Sequence, residues 1–525
     1  MKKCCTKEVF NYIIVVPKRK GRFNMKLRKI LVGIEGLKAK GSLDLDISSI
    51  ECDYREVKKG SLFVAIKGYE VDGHSFILKA IENGASAIIF EEGSDYKLFA
   101  SAKGVTLIMA PNTRLALSLC SCNFYEHPSK KMKIIGITGT KGKTTTSFMI
   151  KSILEKNGKK VGLIGTIAVY VGDKLIKNSD RTTPESNKLQ QILAKMYELG
   201  TEVVVMEVSS QSLKLDRVAG MEFFAGVFTN FSEDHISKLE HKSMEEYFEC
   251  KMKLFESCKY AFVNADSIYT AKIIENIKAN EVQTYGIDNY CNLLAKDVTV
   301  TNVSADFKAK IKDRNERIKV SIPGRFSVYN ALAAISVVRL FGVTTEEIKE
   351  ALSNIKVAGR SELVDNKEEL KIMIDYAHTP DSLKSILETA KTYTIGRVIC
   401  VFGCGGDRDK AKRPKMGEIS GKLADYTIIT SDNPRTENPE EIIADIEKGI
   451  KKTKGKYECI MDRREAMKKA ISMANKKDIV IFAGKGHETY QEISKEKNPF
   501  DERIITKEIL EELQNEPKKR RKNKN

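Results

Sequence analysis

Short runs of apolar, often β-branched residues alternate with segments of helical periodicity through the middle and the C-terminal part of the chain. Residues 133–138 (KIIGIT) predict a buried strand, and residues 145–158 predict a helix that ends at Gly158. Further buried strands are predicted at VVVMEVSS (203–210), AGVFTN (225–230), RVICVFG (397–403), YTIITS (426–431) and DIVIFAG (478–484). Such alternation is typical of α/β domains with largely parallel sheets, and each predicted strand leads directly into polar residues. Open α/β sheets bind ligands beyond the carboxyl ends of their strands, so we expect the functional residues there.

Two breaks in this pattern predict three α/β domains. The segment MAPNTR (109–114) and the basic segment HPSKKMK (127–133) mark the first break, and NIKVAGRSE (354–362) marks the second. The predicted domains are therefore residues 1–112, which include an N-terminal extension (1–24), a central domain with a mostly parallel sheet (113–356), and a C-terminal domain (357–525).

The charge lies at the two ends of the chain rather than on its body. The 525 residues carry a formal charge of +18, of which residues 1–30 and the tail 517–525 supply 15. A nucleic-acid-binding protein carries its basic stripe on the folded body. A nucleic-acid-dependent ATPase is one alternative function, but only the total charge of the chain supports it. Because the charge lies at the two ends, we expect no nucleic-acid partner.

The apolar stretches and the cysteines of the chain indicate its cellular location. The apolar run 12–16 is too short for a membrane span or a signal-peptide core, and no other stretch approaches transmembrane length. The eleven cysteines form no CxxC pair and no regular framework, which indicates reduced thiols. We therefore expect a cytoplasmic protein without a membrane span, and Met25 is an alternative start to Met1.

Residues 136–146 (GITGTKGKTTT) predict a phosphate-binding loop between a strand and a helix. The backbone N–H groups of such a loop close around phosphate oxygens at a helix N-terminus. Lys143 would reach the β- and γ-phosphates, and the hydroxyl of Thr144 would hold Mg²⁺. The site is therefore predicted for ATP or GTP, although five residues rather than four separate Gly136 from Gly142.

This spacing, GxxGTxGKTT, resembles the phosphate loop of the Mur ligase family, the ATP-dependent amide-forming enzymes of peptidoglycan synthesis. The resemblance continues in order over most of the chain, through EVSSQSLKLDRV, FTNFSEDH, EEYFECKMKLF, GRFSVYNALAA, AGRSE and IDYAHTPDSL. It implies a three-domain fold with a UDP-sugar-binding N-terminal domain, a central ATPase domain and a Rossmann-like C-terminal domain. It also implies roles in cell wall biogenesis, cell shape and cell division.

The resemblance assigns ATP, Mg²⁺ and catalytic residues. It implies catalytic roles for Lys143, Lys251, His235 and Asp375, and metal ligation by Thr144, Glu207, His235 and Lys251. The implied ATP-binding residues are Gly139, Thr140, Lys141, Gly142, Lys143, Thr144, Thr145, Asn330, Arg360 and His378. The family usually has Asn where this chain has Lys141, which either adds a phosphate contact or lies on the loop surface.

Lys251 corresponds to the carboxylated lysine of the family. A free ammonium would repel the metals, whereas a carbamate inverts the charge and offers two oxygens. Carbamate formation requires a neutral amine, which a desolvated site favours. Without the resemblance, a solvated helix lysine is the simpler interpretation of this position.

The outer parts of the chain contain GSLFVAIKGYEVDGHSF (60–76), TSDNPRTENPEEII (430–443) and GKGHETYQ (484–491). These segments resemble those of the family's ligases that add the third residue to UDP-MurNAc-L-Ala-D-Glu. The implied UDP-sugar-binding residues are Tyr54, Thr182, Thr183, Ser209 and Arg217. The implied amino-acid-binding residues are Arg408, Asp432, Asn433, Pro434, Arg435, Gly484 and Glu488. An Arg guanidinium binds carboxylates in a bidentate manner, and in relatives the sequence DNPR accompanies meso-diaminopimelate rather than lysine.

The predicted reaction is the ATP-dependent addition of meso-diaminopimelate to UDP-MurNAc-L-Ala-D-Glu through an acyl phosphate, by a monomer with small-molecule substrates. The same reaction with L-lysine is the nearest alternative. Another amide ligase of the superfamily, a ligase for a modified sugar-peptide and a non-catalytic regulator are further alternatives. Departures at Tyr54, Gln211, Leu215 and Ser327 place the chain on a divergent branch.

Overall fold

The computed structural model describes residues 24–69, 71–94, 104–233, 236, 240–311 and 313–522, with side chains up to residue 515. The described residues form two compact units. The first comprises those within Met1–Gly139, Leu154–Val263 and Ser267–Gln283, and the second those within Thr140–Ile153, Asn264–Asp266 and Thr284–Asn525. The predicted extension 1–24 lies almost wholly outside the described residues.

The N-terminal part of the first unit is a five-stranded sheet in the order β2-β7-β6-β5-β4. All neighbours in it are parallel except β2 and β7. Its strands, with the short pair β1 and β3, are β1 (Met25–Lys26), β2 (Lys38–Lys40), β3 (Asp46–Ile47), β4 (Ser49–Glu51), β5 (Ser61–Val64), β6 (Ala85–Glu91) and β7 (Thr106–Ala110). The helices of this region are α1 (Leu27–Ile30), α2 (Ile77–Glu82), α3 (Thr113–Phe124) and α4 (Pro128–Lys131).

The same unit contains a second, mostly parallel sheet with the strand order β11-β10-β9-β12-β8-β13-β14. The pairs from β9 to β14 are parallel, and the hairpin β10–β11 extends the sheet in antiparallel register. The strands are β8 (Lys133–Thr138), β9 (Val161–Ile164), β10 (Ala168–Val171), β11 (Lys174–Asn178), β12 (Val203–Glu207), β13 (Phe223–Phe228) and β14 (Cys258–Asn264). The helices of this part of the unit are α6 (Ser186–Glu198), α7 (Ser210–Lys214), α8 (Met244–Met252) and α9 (Thr270–Asn276), whereas α5 (Lys143–Lys156) belongs mainly to the second unit.

Besides the start of α5, the second unit contains a region with an antiparallel sheet. Its elements are the end of β15 (Glu281–Gly286), β16 (Leu293–Val300), β17 (Ala305–Ile311), β18 (Arg314–Val320), α10 (Arg325–Val338) and α11 (Thr345–Ser353). Strand β15 pairs with β16 in parallel. Strands β16, β17 and β18 pair in antiparallel order, and buried residues alternate with more exposed ones along β17. Alternation of this kind is typical of a sheet that packs on one face only.

The C-terminal part of this unit is a six-stranded sheet in the order β19-β20-β24-β21-β22-β23. All neighbours are parallel except β19 and β20, as in doubly wound folds. The strands are β19 (Glu362–Leu363), β20 (Lys371–Asp375), β21 (Val398–Phe402), β22 (Tyr426–Ile429), β23 (Tyr457–Cys459) and β24 (Ile479–Ala483), followed by the hairpin strands β25 (Tyr490–Ile493) and β26 (Glu496–Pro499). The helices are α12 (Pro380–Tyr393), α13 (Lys412–Leu423), α14 (Pro439–Ile450), α15 (Arg463–Met473) and α16 (Glu502–Lys522).

The predicted α/β class is confirmed, and every strand predicted from an apolar run is present. Helix α5 ends before Gly158, which adopts a φ of +78° as expected of a helix stop. In the described parts of the chain, no helix has the length and apolarity needed to cross a membrane. The nine cysteines within those parts are free, and most are buried.

Candidate active site

The phosphate loop connects β8 to α5, as the sequence predicts. Gly139 and Gly142 adopt φ angles of +139° and +85°, which glycine tolerates and other residues rarely do. A Cβ at Gly139 would collide with the hydroxyl of Thr229, and one at Gly142 would collide with the amide oxygen of Asn330. The loop is therefore a close-fitting backbone cradle that only glycine can form at these two positions.

In the second unit, the start of α5 contacts three of the predicted ATP-binding residues. The Lys143 ammonium donates to the carbonyl of Thr140 at 3.1 Å. The Arg360 guanidinium donates to the hydroxyl of Thr144 at 3.2 Å. The Thr146 hydroxyl lies 3.3 Å from the Asn330 amide oxygen. Asn330 and Arg360 therefore both contact the first turn of α5, directly after the phosphate loop.

Arg360 leads to a second group of predicted residues at the end of β20. Its guanidinium lies 4.7 Å from the ring centre of Tyr376, which also packs against His378 at 4.5 Å. The carboxylate of Asp375 accepts from the backbone N–H of Ser361 at 2.7 Å. Burial raises the pKa of Asp375, and the neighbouring Arg360 opposes that shift. The structure thus brings Asp375, His378 and Arg360 together.

In the first unit, a hydrogen-bonded network surrounds Glu207 at the end of β12. The buried Glu207 carboxylate accepts from the backbone N–H and the hydroxyl of Thr166, both at 2.9 Å. The Thr166 hydroxyl also lies 3.1 Å from that of Thr182. The Thr183 hydroxyl donates to the backbone carbonyl of Glu207 at 2.9 Å.

The network extends from Thr183 to the other predicted sugar-side residues. The Thr183 hydroxyl accepts from the backbone N–H of Ser209 at 3.1 Å, and Arg217 donates to the Thr183 carbonyl at 3.3 Å. Burial lowers the pKa of Arg217, while Glu185, 3.2 Å away, has the opposite effect. Tyr54 packs elsewhere in this unit, with its ring stacked on Phe76 at 4.6 Å.

Lys251 is buried, with 1% of its surface exposed, in the last turn of α8. Its ammonium donates to the carbonyl of Gly139 in the phosphate loop at 3.0 Å and lies 4.3 Å from the ring centre of Tyr247. The interpretation of this position as a solvated helix lysine is therefore wrong. His235, the other predicted metal ligand from this region, lies outside the described residues.

The DNPR loop (residues 432–435) follows β22 and precedes α14, whose N-terminus is capped by Asn438 as predicted. The Arg435 guanidinium donates to the carbonyl of Gly406 at 2.7 Å and to the carboxylate of Glu492 at 3.1 Å. A Cβ at Gly405 would lie 3.0 Å from Nη1 of Arg435, whereas Cγ of Arg408 lies at an ordinary contact distance of 3.9 Å. The absence of a side chain at Gly405 therefore leaves room for the Arg435 guanidinium beside this turn.

Asn433 connects this loop to Glu488. Its amide N–H donates to the Glu488 carboxylate at 2.8 Å, and its amide oxygen accepts from the ammonium of Lys485 at 3.0 Å. The same ammonium donates to Glu488 at 3.0 Å and is fully buried. A Cβ at Gly484 would lie 2.6 Å from the Asp432 carboxylate, so that only glycine fits beside it.

Three family models match the chain in succession. The Mur ligase family, catalytic domain, matches residues 46–125; the Mur ligase middle domain matches 137–338; and the Mur ligase, glutamate ligase domain, matches 359–486. The UDP-N-acetylmuramoyl-L-alanyl-D-glutamate–2,6-diaminopimelate ligase of Caldanaerobacter subterraneus subsp. tengcongensis is 48% identical over 490 residues, 93% of this chain and 99% of that protein. The chain belongs to the Mur ligase family.

Other members of the family agree with this assignment. The protein of the same name from Clostridium tetani is 45% identical over 492 residues, 93% of this chain and all of that protein. A solved structure of a UDP-N-acetylmuramoyl-L-alanyl-D-glutamate–2,6-diaminopimelate ligase superposes with a TM-score of 0.65 at 28% identity, covering 94% of this chain and 99% of that one. The MurF ligase of Thermotoga maritima in complex with ADP shares the fold, with a TM-score of 0.58 at 19% identity over 90% of this chain and 98% of that one.

Several contacts in this Mur ligase were not predicted from its sequence. Thr166, Glu185 and Glu492 each touch a predicted site residue, but no motif marks these three positions. Lys485 also touches a predicted site residue, Glu488, and the sequence does mark it, because it lies between Gly484 and Glu488 within GKGHE. A lysine directly after a buried strand and beside a predicted ligand-binding carboxylate is a signal for an ion pair.

Proposed function

We propose that this Mur ligase adds meso-diaminopimelate to UDP-MurNAc-L-Ala-D-Glu with conversion of ATP to ADP. The names of its relatives support this assignment, since those with 43–48% identity are named as 2,6-diaminopimelate ligases. ADP in a family member of the same fold supports ATP as the nucleotide.

The single observation that carries the choice of amino acid is the connected pair Arg435 and Glu488. Contacts through Asn433 and Glu492 join these two side chains into one polar group at the ends of β22 and β24. A guanidinium binds a carboxylate, and a carboxylate binds an ammonium. The distal end of meso-diaminopimelate carries both groups, whereas that of lysine carries only the ammonium.

Different residues of the chain would bind and orient ATP during amide formation. Joining an amine to a carboxylate requires activation of the carboxylate as an acyl phosphate, with transfer of the terminal phosphoryl group of ATP. Lys143 and the backbone of the glycine cradle would bind and orient the phosphates. Arg360, Asp375 and His378 would contact ATP from the C-terminal part of the second unit, and attack by the amine then releases phosphate.

The residues present fit Mg²⁺, which prefers oxygen ligands. Glu207 offers a buried carboxylate held by Thr166, and Thr144 offers a hydroxyl at the glycine cradle. Thr144, Glu207, His235 and Lys251 as a carbamate would hold the metal. When bound, Mg²⁺ would neutralise charge that develops on the transferring phosphoryl group.

The remaining assignments follow from this function. The UDP-sugar dipeptide would bind at Tyr54, Thr182, Thr183, Ser209 and Arg217. We further propose a cytoplasmic monomer with small-molecule substrates and no nucleic-acid partner. The domain boundaries 1–112, 113–356 and 357–525 are part of the same proposal.

The function is tested by ADP release in the presence of UDP-MurNAc-L-Ala-D-Glu, ATP and a panel of amino acids. Turnover with meso-diaminopimelate well above that with L-lysine is expected. A competition at equal concentrations of the two amino acids makes the choice directly. If lysine is incorporated equally or preferentially, the lysine-adding alternative replaces this assignment.

Arg435→Ala is expected to raise the KM for meso-diaminopimelate roughly ten- to a hundredfold, because a charge-assisted hydrogen bond contributes about 1.5–3 kcal/mol. The KM for ATP should remain within a factor of about two. The measurement is steady-state ADP release with each substrate varied in turn. Arg339→Ala, which removes an exposed arginine of the same unit, is the control. An unchanged KM for diaminopimelate would remove Arg435 from the substrate site.

A further inference from the structure

The hairpin formed by β25 and β26, residues 490–499, lies directly against the DNPR loop. We name it the clamp hairpin. The Gln491 amide donates to the carbonyl of Asp432 at 2.7 Å, and the backbone N–H of Glu492 donates to the Asn433 amide oxygen at 2.9 Å. The backbone N–H of Arg435 donates to the carbonyl of Glu492 at 3.0 Å. Three of the four loop residues are thus held by two adjacent residues of the hairpin.

The backbone of Arg435 is fixed in an unusual conformation by these contacts. Its φ angle is +52°, in the left-handed region that residues other than glycine rarely adopt. The Arg435 carbonyl accepts from the backbone N–H of Ser494 at 2.7 Å, which completes a bridge between the loop and the clamp hairpin. The direction of the arginine side chain is therefore set by contacts with residues about sixty positions away in sequence.

The Glu492 carboxylate then fixes the guanidinium itself. It accepts from Nε of Arg435 at 3.1 Å, while NH1 donates to the carbonyl of Gly406 at 2.7 Å. The two side chains are 20% and 23% exposed, so the pair is only partly accessible to water. Nη1 carries a second N–H besides the one that donates to Gly406. With Nε engaged by Glu492, the edge of the guanidinium that is left for a bidentate carboxylate is therefore the one formed by its two terminal nitrogens.

We propose that Glu492 is a positioning residue for substrate selection, which orients Arg435 so that this terminal edge meets the distal carboxylate of the incoming amino acid. The inference rests on the proposed function and extends it to the clamp hairpin. A free arginine side chain loses rotamer freedom when it binds, and prior immobilisation by Glu492 removes that cost from substrate binding. The negative charge of Glu492 also weakens the attraction between Arg435 and the distal carboxylate of the substrate. Orientation of the guanidinium by Glu492 thus raises the affinity, whereas its negative charge lowers it.

Orientation is expected to dominate, because the substrate must meet two N–H groups at once. Glu492→Ala should raise the KM for meso-diaminopimelate about three- to tenfold, with kcat and the KM for ATP within a factor of about two. The preference for diaminopimelate over lysine should fall by a similar factor. Glu492→Gln keeps an oxygen that accepts from Nε, and it should therefore retain a KM within about twofold of the wild type.

The experiment compares these two variants with Glu496→Ala, which removes an exposed carboxylate from the same hairpin. Each variant is measured by ADP release, with all three substrates varied, and by thermal unfolding. A KM increase confined to diaminopimelate in Glu492→Ala, with recovery in Glu492→Gln, supports the proposal. Equal increases for all substrates, an equal loss in both Glu492 variants, or unchanged KM values in Glu492→Ala would overturn it.

The wild-type protein separates this inference from the proposed function. If the wild type ligates meso-diaminopimelate in preference to lysine, and Glu492→Ala has the same KM values and the same preference, only the positioning role proposed for Glu492 is refuted. If the wild type incorporates lysine instead, the proposed function fails, and the role of Glu492 toward a second carboxylate falls with it.

Discussion

Lys143→Ala is expected to reduce the rate of ligation by about 10²- to 10³-fold, the usual cost of losing one preorganised electrostatic contact to a transition state. Lys143 is the first residue of α5 and its ammonium lies over the phosphate loop, 3.1 Å from the carbonyl of Thr140. The side chain is partly exposed, so its truncation removes a charge without opening a cavity in the core. The fold should therefore survive while turnover is lost.

The measurement is ADP release at saturating substrates, accompanied by thermal unfolding to confirm the fold. Lys156→Ala is the matched control, because Lys156 is an exposed lysine in the last turn of the same helix. The control should retain wild-type turnover. Activity of Lys143→Ala within a factor of about three of the wild type would contradict the assignment of the phosphate loop.

The parts of the site that could be predicted from the sequence are those in which local pattern decides structure. An apolar run followed by glycines and a helical pattern specified β8, the phosphate loop and α5. In the C-terminal sheet, β24 lies between β20 and β21, and β21 pairs with β22; all these pairs are parallel. Their carboxyl ends therefore meet at one edge, as expected for polar residues that follow successive strands.

The parts that could not be predicted depend on contacts between distant segments. The clamp hairpin has a polar sequence with exposed residues throughout β26, so that no hydrophobic periodicity marks it. The left-handed backbone of Arg435 is imposed by Glu492 and Ser494, and nothing in the sequence DNPR indicates it. The ion pair between Arg463 and Glu502 is likewise invisible locally, although both side chains are completely buried.

At position 251 the local sequence pattern does not predict the environment of the side chain. The local pattern around Lys251 is that of an ordinary amphipathic helix, for which a lysine would face water. In the structure the side chain is buried and its ammonium lies 3.0 Å from the carbonyl of Gly139. Tertiary packing, rather than helix periodicity, thus determines the environment of this amine.

Lys251→Ala is expected to abolish ligation, and millimolar acetate or formate is expected to restore part of it. The neutral amine would add to CO₂ and release one proton, which gives a carbamate whose oxygens serve the proposed metal site. A short carboxylate that enters the space left by Ala supplies equivalent oxygens. ADP release measured against carboxylate concentration should therefore rise and saturate in this variant alone.

Three further variants separate carbamate chemistry from packing and charge. Lys251→Met keeps most of the side-chain volume, and Lys251→Arg keeps the positive charge; both should be inactive and should not respond to carboxylate. Lys253→Ala removes an exposed lysine two positions away and should behave as the wild type. If carboxylate restores activity only in Lys251→Ala, the contribution of position 251 is a pair of carboxylate oxygens rather than side-chain volume or positive charge. Turnover in Lys251→Arg close to that of the wild type would show that a cation suffices there, and the carbamate assignment would be abandoned.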